Sequence, residues 1–132
     1  MDMPSLTGFP GQPAGSRLAY ASERESTTGL AETLAALANA HGGTLIVSGG
    51  RGTSLAALHN PAAAIEMVLA AALSCTPPLI IPLPQIIEHQ GMSLLAVEVP
   101  SGLPYVYAVQ GRYLRREGAN NVPLSPAALH RL

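Results

Sequence analysis

Arg112, Arg115 and Arg116 form the densest group of cations in this chain, with Tyr105, Tyr107 and Tyr113 close by in sequence. Arginine forks bind phosphate oxygens bidentately and tyrosine rings offer stacking surface to exposed bases, so the group reads as a nucleic-acid contact surface. In a regular strand Arg112 and Arg116 share one face and Arg115 lies opposite, beside Tyr113. Gly118, through its backbone, and the side chains of Asn120 and Asn121 follow as polar contacts. A structural reading stands beside this one: Glu117, Glu98 or Glu88 pairs with the arginines, and the tyrosines are half-buried sheet residues.

The other chemistry-bearing residues are less specific. Glu23, Glu25 and Glu32 are close enough in sequence to hold a divalent cation for phosphodiester cleavage, but acids at the start of a helix also complement its dipole. Gly49-Gly50-Arg51-Gly52 follows a strand, as phosphate loops do. It lacks both the GK[ST] ending and a G-x-G-x-x-G run opening into a helix, so an ordinary turn is expected. His41, His59, His89 and His130 have neither i, i+4 spacing nor companion ligands, and no metal is expected. Ser48 sits at a strand end without G-x-S-x-G and without a base assigned to it. No catalytic residue and no cofactor follow from these patterns, and the chain is not expected to be an enzyme.

Composition narrows the partners. The 132 residues suit one domain, hydrophobic residues make up 48% and charged residues 11%. An average soluble domain is about 25% charged, so a homodimer or larger homo-oligomer is expected to cover the apolar excess, unless surface alanine accounts for it. There is no lysine, and the formal net charge is −1. Affinity for nucleic acid comes mainly from neutralised phosphates, so this balance argues against tight non-specific binding and leaves weak binding through a local patch. Cys75 is the single cysteine, which fits packing in a reducing cytoplasm. The N-terminus has no signal-peptide pattern. The apolar region Ala62 to Ile87 carries Glu66 and is broken by Pro77, Pro78, Pro82 and Pro84, so no membrane span is expected.

These residues need elements to position them. Residues 1–17, rich in Pro, Gly and Ser, read as a flexible arm, and residues 18–132 as the domain. Leu18 to Ala21 suits a short strand. Ser26, Thr27 and Thr28 are N-cap candidates for a helix running to about His41, with Leu30, Leu34, Leu37 and Ala38 as its apolar stripe. His41-Gly42-Gly43 reads as its C-cap, His41 suiting the negative end of the helix dipole, and Thr44 to Ser48 as a buried strand. Asn60-Pro61 opens a second helix with Ile65, Val68, Leu69, Ala72 and Leu73 buried. Hairpins follow at Gln90-Gly91 and Gln110-Gly111, and Ser125-Pro126 starts a terminal helix over Ala127 to Leu132. The order β-α-β-α-β-β-β-α implies an α+β fold, a mixed and mostly antiparallel sheet packed with two or three helices.

In this order the segments resemble the Schlafen-like AlbA domain of bacterial regulators. The resemblance runs from about Leu18 to the end. It rests on the helix end Ala36-Leu37-Ala38-Asn39, the pair Gly42-Gly43 leading into Thr44-Leu45-Ile46-Val47, the strand end Val97-Glu98-Val99-Pro100 with Pro104-Tyr105, and the closing run Tyr113-Leu114-Arg115-Arg116-Glu117-Gly118-Ala119-Asn120-Asn121. It implies a nucleic-acid-binding domain, DNA rather than RNA, of the kind found in transcriptional regulation. Family members usually carry an acidic-aromatic-lysine motif before the first helix, and the counterpart here is Ala19-Tyr20-Ala21, with both charges gone. Sliding the comparison to Glu23-Arg24-Glu25 restores an acid but not the lysine. The metal-dependent RNA cleavage of the nuclease relatives is therefore not expected. The alternative is a degenerate protein-interaction or oligomerisation module.

Overall fold

The computed structural model describes residues 12–125, so the terminal helix expected over Ala127 to Leu132 and most of the expected arm lie outside the described residues. Strand β1 (Leu18–Ser22) leads to helix α1 (Thr27–Asn39), strand β2 (Gly43–Ser48) and helix α2 (Pro61–Leu73). Strands β3 (Gln85–His89), β4 (Met92–Val99), β5 (Ala108–Val109), β6 (Arg112–Glu117) and β7 (Asn120–Pro123) complete the described chain. The result is an α+β fold with the two sheets mostly antiparallel. No helix among the described residues is long and apolar enough to cross a membrane.

The helix ends follow local chemistry. Ser26 is the N-cap of α1 and its hydroxyl accepts from Gly29 N at 2.9 Å. Asn60 caps α2 through Ala63 N at 3.1 Å, with Pro61 at the first position, where its missing N–H breaks no bond. At the far end of α1, Gly42 N returns to Leu37 O at 2.8 Å. Gly42 and Gly43 take φ of +72° and +143°, and a Cβ on Gly43 would lie 2.4 Å from Arg17 O. Both the conformation and the close backbone approach therefore require glycine at this corner.

The larger sheet runs β1-β2-β4-β3, with β1 parallel to β2 and the other neighbours antiparallel. Helix α1 is the crossover joining the parallel pair, so both strands point their C-terminal ends the same way. Alternation on β4 divides the core: Leu95, Val97 and Val99 join Leu30, Leu34 and Val68 beneath the helices, while Leu94 and Ala96 join Leu18 and Ile46 on the opposite face. The hairpin turns Gln90-Gly91 and Gln110-Gly111 have positive φ at both residues, as two-residue turns with the right twist require.

Three expectations change. Of the stripe expected on helix α2, Val68 and Ala72 are buried and Ile65 and Leu69 half-buried, but Leu73 is 56% exposed, and Ala64 and Ala71 complete the inward face. The helix is apolar nearly all round, so periodicity marks its inward face poorly; alanines on that face permit close approach to α1. Asn120 and Asn121 lie in a strand, β7, which pairs with β6 beyond the Gly118 turn. Finally, β5-β6-β7 form a separate small sheet packed against α1.

Candidate functional site

Each of the three arginines singled out by sequence has a partner within the protein. Arg112 pairs with Glu32 on α1 at 2.7 Å, one of the two ion pairs among the described residues. Arg115 donates to Asn39 O at 3.1 Å. Arg116 is 7% exposed and donates to Gly15 O at 3.0 Å, Leu18 O at 3.1 Å and Asn121 Oδ1 at 2.9 Å. Burial pulls its pKa below the ordinary arginine value. A phosphate on Arg116 would have to replace three short protein contacts, so this side chain is a strut between β1 and the small sheet.

The partners differ from those the structural reading supplied. Glu98 accepts from Thr44 Oγ1 and Glu88 from Ser93 Oγ, while Glu117 is exposed. Backbone carbonyls and Glu32 take their place. Asn121 extends the Arg116 strut by donating to Thr33 Oγ1 at 3.0 Å, so it too is structural. Gly118 and Asn120 sit exposed at the β6–β7 turn. Tyr107 is buried, in edge-to-face contact with Tyr105, while Tyr105 and Tyr113 are 60% and 37% exposed.

The glutamates also separate. Glu32 holds Arg112, and Glu25 accepts from Ser26 N at 3.0 Å. Glu23 reaches across to the start of α2, accepting from His59 N at 2.9 Å and pairing with the His59 ring. No group of three His, Cys, Asp or Glu side chains among the described residues is arranged to hold a metal ion. Ser48 is buried, and its hydroxyl accepts from Gly50 N at 3.0 Å, as part of the turn.

Burial by itself pushes the Glu23 carboxyl up, but hydrogen bonds from the His59 ring and the His59 and Asn60 amides, with the His59 charge, outweigh it. Its pKa lies below the ordinary value of 4.5. A depressed folded-state pKa means stability that is present above about pH 4.5 and is lost as pH falls through the folded value. The melting-temperature gap between the chain and its Glu23→Gln variant is therefore expected to narrow as pH falls below about 4.5. A gap that persists unchanged to about pH 3 in a thermal-melt series contradicts this.

What the β1–α1–β2 crossover does build is a cleft of about 390 Å³ at the C-terminal ends of the two parallel strands. Its lining is Tyr20, Ala21, Ser22, Arg24, Glu25, Gly49, Arg51 and Gly52. Ligands of open α/β sheets bind at such carboxyl ends. Strand pairing carries on past β1, Glu23 N donating to Ser48 O at 2.8 Å, and fixes the two loops beside one another. Gly50 is required by packing, since a Cβ there would lie 1.8 Å from Ser54 O, and Gly52 at the turn tip by its positive φ of +54°. Arg24 and Arg51 are exposed, and neither belongs to an ion pair among the described residues.

Two of these residues carried sequence signals of the wrong kind. Arg51 stood in a turn lacking a phosphate-loop pattern, and Arg24 was hidden inside an acidic run. Only the parallel pairing brings them to one cleft. Comparison with protein-family models, curated proteins and solved structures gives no match for this chain.

Proposed function

We propose that this chain is a Schlafen-like AlbA-type domain that binds nucleic acid weakly, without cleaving it, in the cytoplasm and in a regulatory setting. The contact is the cleft at the ends of β1 and β2. The observation that carries the reading is the presence of Arg24 and Arg51 in one cleft, with no carboxylate partner among the described residues, while Arg112, Arg115 and Arg116 are engaged by Glu32 and backbone carbonyls. Guanidinium forks on two adjoining loops suit phosphate oxygens. The family resemblance of the Asn39, Gly42 and Gly43 segment adds to it, because that segment builds the crossover that forms the cleft.

In a gel shift at low salt with mixed single- and double-stranded probes, retardation is expected and should fade as salt rises. No retardation of any probe contradicts the reading. It would favour the second one, a homo-oligomerisation module. The specific observation behind that alternative is the exposure of Ile80 and Leu83, each 70%, with Leu73 and Ile86 also largely exposed.

A further inference from the structure

We infer that the cleft between the β1–α1 turn and the Gly49–Ser54 turn is a one-nucleotide site. It takes the terminal phosphate of a single strand or a free nucleoside monophosphate, and does not follow a continuous duplex backbone. This deepens the nucleic-acid reading and rests on it.

Size is the first ground. A cleft of about 390 Å³ lies at the small end of ligand pockets, which span about 300–1,000 Å³, a size that suits one nucleotide. Cation supply is the second. Among the described arginines, Arg112, Arg115 and Arg116 are engaged, and Arg17 stands at the opposite end of β1, where its carbonyl accepts from Thr44 N at 2.9 Å. Arg24 and Arg51 are what remains for the cleft. Glu23 and Glu25 flank Arg24, and Glu25 lines the cleft itself, so a second phosphate would meet a carboxylate.

Charge matching then selects the phosphate type. A terminal monoester carries about −1.5 to −2 charges at pH 7, against −1 for an internal diester, and so suits two guanidinium groups better. Glu25 supplies the complementary contact. One of its oxygens, Oε1, accepts from Ser26 N, and Gly29 gives the carboxyl room, since a Cβ there would fall 2.7 Å from its Cδ. Its other oxygen is an acceptor suited to a sugar hydroxyl, the pairing by which acidic residues hold ribose beside a phosphate site.

The test uses the whole chain and a short 3′-labelled single strand in fluorescence polarisation. The strand is compared with and without a 5′-phosphate and against a hairpin duplex with no terminal phosphate. Tenfold or tighter binding of the 5′-phosphorylated strand is expected, with AMP displacing it and adenosine failing to. With two phosphate-binding cations, the log–log salt slope should be no steeper than about −2. Arg24→Ala and Arg51→Ala should each weaken binding about tenfold, with Arg51→Lys recovering part of the loss, which a misfolded chain would not do. Glu25→Gln should narrow the preference for AMP over inorganic phosphate.

Equal binding of the 5′-hydroxyl strand and the duplex, still dependent on Arg24 and Arg51, overturns the one-nucleotide site and leaves the nucleic-acid reading standing. Binding of AMP with no binding of any strand upholds the site and overturns the nucleic-acid reading. No binding of AMP, phosphate or strand overturns both.

Discussion

Replacing Asn39 by alanine is expected to lower folding stability by about 3–5 kcal/mol, because it strands several buried backbone groups at once. The Asn39 side chain is 7% exposed. Its Nδ2 donates to Tyr107 O at 2.9 Å and Leu114 O at 2.7 Å, and its Oδ1 accepts from Tyr107 N at 2.7 Å. One amide at the last turn of α1 thus bolts the helix to the segment entering β5 and to β6. Unpartnered buried donors and acceptors cost about 1–3 kcal/mol each, and three are exposed to that cost here. Asn39→Asp should be no milder, since it keeps the acceptor for Tyr107 N but sets a carboxylate against two carbonyls. In urea the midpoint should fall by roughly 2 M with the slope preserved, given slopes of about 1–3 kcal/mol/M for small proteins. A loss under about 1 kcal/mol would show that water or local rearrangement replaces the amide.

Arg116→Ala is the second large effect, about 3 kcal/mol, from the loss of three hydrogen bonds made by a charged donor in a buried place. Its acceptors lie on Gly15, Leu18 and Asn121, so the loss falls on the junction between β1 and the small sheet. Lysine offers a compact point charge in place of a planar fork and cannot reach three acceptors set apart in this way. Arg116→Lys should therefore recover less than half of the loss. Hydrogen exchange should show the drop concentrated in β1, β6 and β7, whereas a uniform change of under about 1 kcal/mol would mean that Arg116 is a surface cation after all. Weaker ligand binding by Arg116→Ala has to be read alongside this destabilisation.

Much of the fold was legible because local rules decide it. Ser26, Asn60-Pro61 and the two Gln-Gly turns each satisfy backbone groups within a few residues, and β4 alternates cleanly between two buried faces. What was not legible depends on pairs distant in sequence. The fate of Arg115 and Arg116 was decided by carbonyls on Asn39, Gly15 and Leu18, which no side-chain pattern marks. Strand β7, Asn120–Pro123, has little β propensity and forms because Arg116, Asn121 and Thr33 tie it to β6 and α1. The cleft is illegible in the sequence for the same reason, since only the parallel pairing of β1 with β2 brings Arg24 and Arg51 to one lining.

That contrast between engaged and free arginines is the centre of the account, and one measurement addresses it directly. Binding of a single-stranded probe at low salt is followed by polarisation for the chain itself, the Arg24→Ala/Arg51→Ala double variant and Arg112→Ala, each first shown to melt like the parent. Near-complete loss of binding in the double variant, with Arg112→Ala within about twofold of the parent, is the expected result. Full binding by the double variant, or loss confined to Arg112→Ala, would place the contact on the small sheet and contradict the account.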